Sequence, residues 1–230
     1  MSESIKNKSQ NKNEMKSYEN LINDNHNENE SYIIAKIIIK KEDINKNIRI
    51  INSFEEVYKD YHYLTQEELL NHGNEKEIKK CKIKINDKII LFTYEYQFPE
   101  EGNYNIKYIL TEDIKNTNYM FYDCGYFTNI DFPNFNAQSI TNMSHMFSFC
   151  KLLTHINLSN LNTKNVTDMS HMFRGCESLI TIDLSHNFNT QSVTNMTKMF
   201  SRCFSLIKLD LSNFNTQNVT IVNRVIHFHL

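Results

Sequence analysis

Four cysteines, Cys124, Cys150, Cys176 and Cys203, recur at steps of 26, 26 and 27 residues. Thiols at a fixed interval could carry metal or redox chemistry. A tetrahedral zinc site, however, draws on cysteines paired a few residues apart, and this chain has no CxxC pair. One cysteine per repeat reads instead as a small buried apolar side chain. His145 and His171 share another repeat position, about one strand spacing or ~5 Å apart if the repeats stack. Lys198 takes that place next, so no third ligand recurs and exposed surface histidines are expected. Asn142, Asn157, Asn165, Asn195 and Asn218 open N-x-[Ser/Thr] sequons, which are glycan acceptors in a secreted protein. The repeat itself generates most of them, so a structural role for the Asn or Thr is the expectation. There is no GxSxG, HExxH, phosphate-binding loop or dinucleotide fingerprint. The reading is a non-enzymatic protein with no catalytic residues, no cofactor and no metal site.

The residues best placed for recognition are Asn129, Asp131, His155, Asn157, Thr181, Asp183, Lys208 and Asp210. Each lies next to an inward apolar residue of a strand run, so each should point out of a sheet while that neighbour points in. Together they predict a polar, mildly acidic binding strip. The elements that must position them are written in the repeat. Its signature Met-Phe-x-x-Cys begins at Met120, Met146, Met172 and Met199. In the second repeat Met143, Met146, Phe147 and Cys150 are spaced 0, 3, 4 and 7, which predicts one face of a short helix. Thr141, Thr167, Thr194 and Thr220 stand where an N-cap would be. Leu153, Ile156 and Leu158 then read LxxLxL, a strand, and Leu161 and Val166 add to the core. The expected architecture is an α/β solenoid like that of leucine-rich repeats. Each repeat would supply one strand and one short helix, with the strands in a parallel sheet.

These motifs carry a resemblance. The MFxxC signatures, the strand cores TNIDF, THINL, TIDLS and KLDLS, and the NxxxVT linkers such as residues 162–167 resemble the 26-residue surface-protein repeat of the BspA-like leucine-rich-repeat family. The resemblance spans residues 118–222 and implies adhesion or host interaction at a cell surface. One departure is informative. Where an ordinary leucine-rich repeat has an Asn ladder, this chain has Phe135, Leu161 and Phe214, with Phe188 one residue further on. The neighbouring Asn134, Asn136, Asn160, Asn162, Asn213 and Asn215 are the candidates to bond the loop backbone instead. The third repeat holds one extra residue, near His186 and Asn187, expected to bulge in a loop.

The rest of the chain reads as three further units. Residues 1–30 are rich in Asn, Lys, Glu and Ser and predict a disordered tail. Residues 31–116 predict a small α+β capping domain with an antiparallel sheet. Ile-rich runs at Tyr32–Lys40 and Asn47–Ile51 are strands, and Ser53 to Glu56 and Thr65 to Glu68 are capping boxes. Ile83 and Ile85 alternate with Lys; Ile90, Phe92, Tyr94, Tyr96 and Phe98 predict one long strand, and Tyr104, Ile106, Tyr108 and Leu110 another. Residues 117–222 hold the four repeats, and 223–230 read as a degenerate or truncated end. With 25 Lys and Arg against 27 Asp and Glu, net charge −2, the chain has no electrostatic pull toward nucleic acid. No run of about 20 apolar residues predicts a transmembrane helix, and the first residues lack the apolar core of a signal peptide. The expectation is a monomeric intracellular scaffold that binds protein partners through its sheet face, with a cell-surface protein as the alternative.

Overall fold

A computed structural model describes residues 30–59, 65, 67–68, 72–110, 114–184, 188–212 and 214–220. Residues 1–29 of the tail expected over 1–30, the bulge expected near 186–187 and the end expected over 223–230 lie outside the described residues. Residues 31–230 form one compact unit. In chain order its strands are β1 (Ser31–Ile39), β2 (Asn47–Arg49), β3 (Lys82–Ile85), β4 (Lys88–Ile90), β5 (Glu95–Gln97), β6 (Gly102–Leu110), β7 (Phe127–Asn134), β8 (His155–Asn157) and β9 (Thr181–Asp183). Among the described residues the short α-helices α1 (Phe54–Tyr58) and α2 (Glu75–Ile78) and a 3-10 turn, Lys41–Asp43, accompany them.

The pleat makes β1 two-faced, although its sequence is apolar on both sides apart from Ser31 and Lys36. Ile33, Ala35, Ile37 and Ile39 are buried, while Lys36 and Ile38 face out. β1 pairs antiparallel with β6 over its full length, Ser31 opposite Leu110 and Ile39 opposite Gly102. On its other side β1 pairs antiparallel with β7, the strand of the first repeat, with register shifts that bend it. From β7 onward the pairing is parallel, β7 to β8 to β9. The result is one seven-stranded mixed sheet, ordered β4-β3-β6-β1-β7-β8-β9, with β2 and β5 as a separate pair. The long strand expected from Ile90 to Phe98 is broken. Its second half leaves for β2, where Arg49 meets Glu95 at 2.9 Å, and the Tyr94 hydroxyl donates to Glu75 at 2.9 Å. The Thr65 box forms in both directions and the Ser53 box only in one, because the Ser53 amide donates to Asn52 Oδ1 at 3.0 Å and not to Glu56. Glu56 N donates to Ser53 Oγ at 3.1 Å, and Glu68 N to Thr65 Oγ1 at 3.1 Å, while the Glu68 carboxylate accepts from Thr65 N at 2.7 Å.

The α/β solenoid of strand plus short helix is not what this chain builds. The fold is mostly β, and the Met-Phe-x-x-Cys segments are runs of tight turns. The residues just before Met and just before Cys adopt left-handed backbone: Tyr119 and Asp123, His145 and Phe149, His171 and Gly175, Lys198 and Arg202, with φ between 53° and 75°. An α-helix tolerates no such residue. Alternate amides close turns within a repeat, as Met146 N to Met143 O at 3.3 Å and Cys150 N to Phe147 O at 3.2 Å. The amides between them cross to the next repeat: His145 N to Ser170 O at 2.9 Å, Phe147 N to Met172 O at 2.9 Å, Phe149 N to Arg174 O at 2.8 Å. Hydrogen bonds that a helix would keep at i−4 are thus exported to a neighbour. Each left-handed residue other than Gly175 costs about 1–2 kcal/mol. The exported bonds and the stacked core offset that cost.

The apolar spacing nevertheless points the right residues inward. Met143, Met146, Phe147 and Cys150 are fully buried, as are their counterparts in the third repeat. Phe121, Phe147, Phe173 and Phe200 form a column of parallel rings with centroids 5.9, 5.4 and 5.5 Å apart. The threonines expected as N-caps instead form a ladder of their own. Thr167 N and Oγ1 both donate to Thr141 O, and Thr194 N and Oγ1 both donate to Thr167 O.

Candidate functional site

The parallel register sets the eight predicted face residues in two rows. Asn129, His155 and Thr181 lie side by side across β7, β8 and β9, and a lone bridge carries the row to Lys208. Asp131, Asn157 and Asp183 make the second row, and Asp210 lies two residues past Lys208. The inward neighbours Ile130 and Ile156 are fully buried and Ile182 nearly so, which pins the polar residues to the outer face. His155 joins the rows: its Nδ1 is 2.8 Å from Thr181 Oγ1, and its Nε2 is 3.3 Å from Asp183 Oδ2. Asn157 accepts from Ser159 N at 3.0 Å. Asp210 accepts from Ser212 N at 2.9 Å, and that bond holds its carboxyl below the usual carboxylate range. A shallow depression of about 510 Å³ opens among Asn157, Thr181, Asp183, Lys208 and Asp210. The Thr–His–Asp contacts lie on an open face with no cleft to exclude water.

The face is wider than the repeats. β1 places Lys36 opposite Asn129 and Ile34 opposite Asp131. β6 continues the rows with Asn105 and Lys107, and β3 adds Lys84 opposite Lys107. Lys107 Nζ sits 3.9 Å from the Tyr32 ring centroid. A second depression, about 530 Å³, lies among Lys36, Asn105, Lys107 and Asp131. The face is therefore basic at Lys36, Lys84 and Lys107 and acidic toward Asp131, Asp183 and Asp210. The lysines were missed because their alternation with Ile was read only as a strand signal. Their place beside the repeat strands depends on pairing that local spacing does not encode.

The other chemistry-bearing residues have structural roles. Every described cysteine is free and buried. Burial pushes the thiols of Cys124, Cys150 and Cys176 well up and that of Cys203 up to about 12. From the second repeat on, each thiol donates to the carbonyl of the preceding repeat's Phe: Cys150 to Phe121, Cys176 to Phe147 and Cys203 to Phe173, all at 3.1 Å. Among the described residues no group of three or more His, Cys, Asp or Glu could hold a metal ion. His145 and His171 are half-buried rather than exposed, because their rings stack at 4.4 Å, and Tyr119 stacks on His145 at 4.5 Å. Burial and the neighbouring cations hold His145 down to about 3 and His171 to about 4.

The sequon asparagines are backbone ligands. Asn142, Asn157 and Asn195 each accept from the amide two residues on, and Asn165 and Asn218 donate to Gln138 O and Gln191 O of the preceding repeat. The missing Asn ladder is replaced by Asn136, Asn162, Asn189 and Asn215, each accepting from the amide two residues on. A third depression, about 500 Å³, is lined by Arg49, Glu95, Asp123 and Lys151. Its charges are largely matched within the fold, Arg49 lying 2.9 Å from Glu95 and 3.6 Å from Glu56.

Among the described residues no helix is long and apolar enough to cross a membrane. No curated protein and no solved structure matches this chain. The family described as Mycoplasma protein of unknown function, DUF285, matches residues 74–185 and 153–228, a region that takes in all four repeats and well over half of the sequence, and the chain belongs to that family.

Proposed function

We propose that this protein is a non-enzymatic binding module that takes a protein partner on the outer face of its seven-stranded sheet. The observation that carries the reading is the in-register double row from Asn129 and Asp131 to Lys208, joined at its other side to the lysines of β1, β3 and β6. A face with opposite charge at its two ends favours a partner with the complementary arrangement and sets its direction. Asp183→Lys combined with Asp210→Lys should weaken partner capture from the native cell extract at least tenfold. Both residues are exposed, so stability should move by only about 0.5 kcal/mol. Lys164→Glu, an exposed loop residue outside the rows, should leave capture intact. Capture lost in the Lys164 variant and kept in the double variant would refute the assignment of the face.

The repeat sequences favour a second reading. They resemble BspA-like surface-protein repeats, and membership of the DUF285 family is consistent with such a relationship. On that reading the same face serves adhesion outside the cell. Labelling intact cells with a membrane-impermeant amine reagent separates the two: label on this chain supports the surface role.

A further inference from the structure

The first row of the outer face has a fixed order of charge. Pairing across the sheet sets Lys84, Lys107, Ile34, Asp131, Asn157 and Asp183 side by side on β3, β6, β1, β7, β8 and β9. Asp210 follows at the far end, two residues past the bridge from Thr181 to Lys208. With strands about 4.8 Å apart, the row passes from two cations through an isoleucine to three carboxylates. The ends of the second row carry the opposite signs. Asp87, in the turn between β3 and β4, lines the same depression as Lys36 and Lys107, and Lys208 stands at the far end. Lys36 lies near the middle of that row, beside Asn129. Between the charged ends β1 offers apolar surface: Ile38 is 50% exposed, and Tyr32 and Ile34 are half-buried.

A face whose charge reverses from end to end is complementary to a copy of itself after half a turn. The operation here is a two-fold axis parallel to the strands, between β1 and β7. It lays two faces together, keeps each row on its counterpart and exchanges their ends. Lys84 of each copy then stands over Asp183 of the other, and Lys107 over Asn157, between Asp131 and Asp183. Lys208 stands toward the turn that carries Asp87. Ile34 and Ile38 of both copies meet beside the axis, at the centre of the contact, where an interface is most apolar. A two-fold axis across the strands would instead lay the lysine end on the lysine end, so the charges select the first axis. We infer that the partner of this face is a second copy of the chain, joined face to face as a two-fold dimer. The inference rests on the outer face being the binding surface and names what it binds.

Sedimentation of the full chain tests this. The parent should pass from monomer to dimer within the micromolar range, and raising salt from about 50 mM to about 500 mM should weaken the dimer at least tenfold. Lys84→Glu with Lys107→Glu should weaken it at least tenfold at low salt, and so, separately, should Asp183→Lys with Asp210→Lys. An equimolar mixture of the two double variants should restore the dimer as one copy of each, because the first row is then acidic on one face and basic on the other. Restoration on mixing also shows that both variants are folded. A parent that stays monomeric, a dimer indifferent to both reversals, or folded variants that stay monomeric when mixed would each overturn the inference. A monomeric parent whose capture from the cell extract still falls with Asp183→Lys and Asp210→Lys would overturn it while leaving the outer face as the site of a different protein.

Discussion

At the scale of single residues, the fold uses polar groups where a sequence reader looks for chemistry. The thiol that suggests a metal ligand supplies a second donor to a carbonyl that already accepts from its own repeat's Cys amide, as at Phe147 O, bonded by Cys150 N and by Cys176 Sγ. The imidazoles that suggest a ligand pair are stacking surfaces, and their titration is a consequence of that stacking. Desolvation acts first on both rings; Arg174 disfavours the charged form of both, His171 adds to it at His145, and Lys198 adds to it at His171, with Asp168 opposing at His171. In the unfolded chain each takes its proton near the ordinary 6.5, whereas the native rings wait until about 4 and 3. Between those values the unfolded state binds more protons, so stability is fully present above pH 6.5 and falls as the pH drops toward 4. Tyr119 shows that a tyrosine fits this left-handed, stacked position at φ 59°. The double variant His145→Tyr, His171→Tyr should therefore keep the fold and flatten the decline of the denaturant midpoint between pH 7 and pH 5. A decline of the same steepness in parent and variant would show that the pair carries no such linkage.

At the scale of elements, strands were legible and the turn ladder was not. An Ile-rich run placed β1, and period-two alternation placed β3, β6 and the repeat strands and assigned Asn129, His155, Thr181 and their row neighbours to one face, because that period has one geometric solution. The spacing 0, 3, 4, 7 has two. A helix turns those residues to one side, and so does a run of turns with a left-handed residue before the Met and before the Cys. Glycine or asparagine at those places would have been the signal, but the chain has Tyr, Asp, His, Phe, Lys and Arg there, with Gly175 the lone glycine. That glycine separates the two geometries by sign. In a helix Gly175→Ala would stabilise by about 1 kcal/mol. In the ladder φ is 75°, and an added Cβ would stand 2.7 Å from Phe149 Cδ1, so the same change should destabilise by about 1–2 kcal/mol. Chemical denaturation at neutral pH reads the difference, and a raised midpoint would restore the helix.

At the scale of the whole molecule, the repeat strands β7, β8 and β9 share one sheet with β1, β3, β4 and β6, and the join is β1. It lies between β6 and β7 and buries Ile33, Ala35, Ile37 and Ile39, each at most 2% exposed, against the core shared with Ile130, Phe132 and Phe121. Antiparallel pairing with β1 is also what ends the parallel run of repeat strands, since β7 would otherwise present a bare edge to solvent. Neither fact is written locally: pairing between Tyr32 and Asn134 spans about a hundred residues, and no spacing within either segment announces it. The dependence can be measured by severing it. A chain of residues 112–230 keeps all four repeats but loses β1, so the Phe127, Ile130 and Phe132 side of β7 loses its cover along with one whole row of backbone partners. Large-to-small changes at single core sites cost about 2–5 kcal/mol, and removing four buried side chains together exceeds the usual stability of a domain. The fragment should therefore sediment as aggregates or show no cooperative melting transition. Adding back a peptide of residues 30–41 cannot rescue it alone, because β6 must hold the far edge of β1. A fragment that sediments as a monomer and melts cooperatively would show that the four repeats sustain themselves, and that β1 contributes to the outer face without being needed for the core.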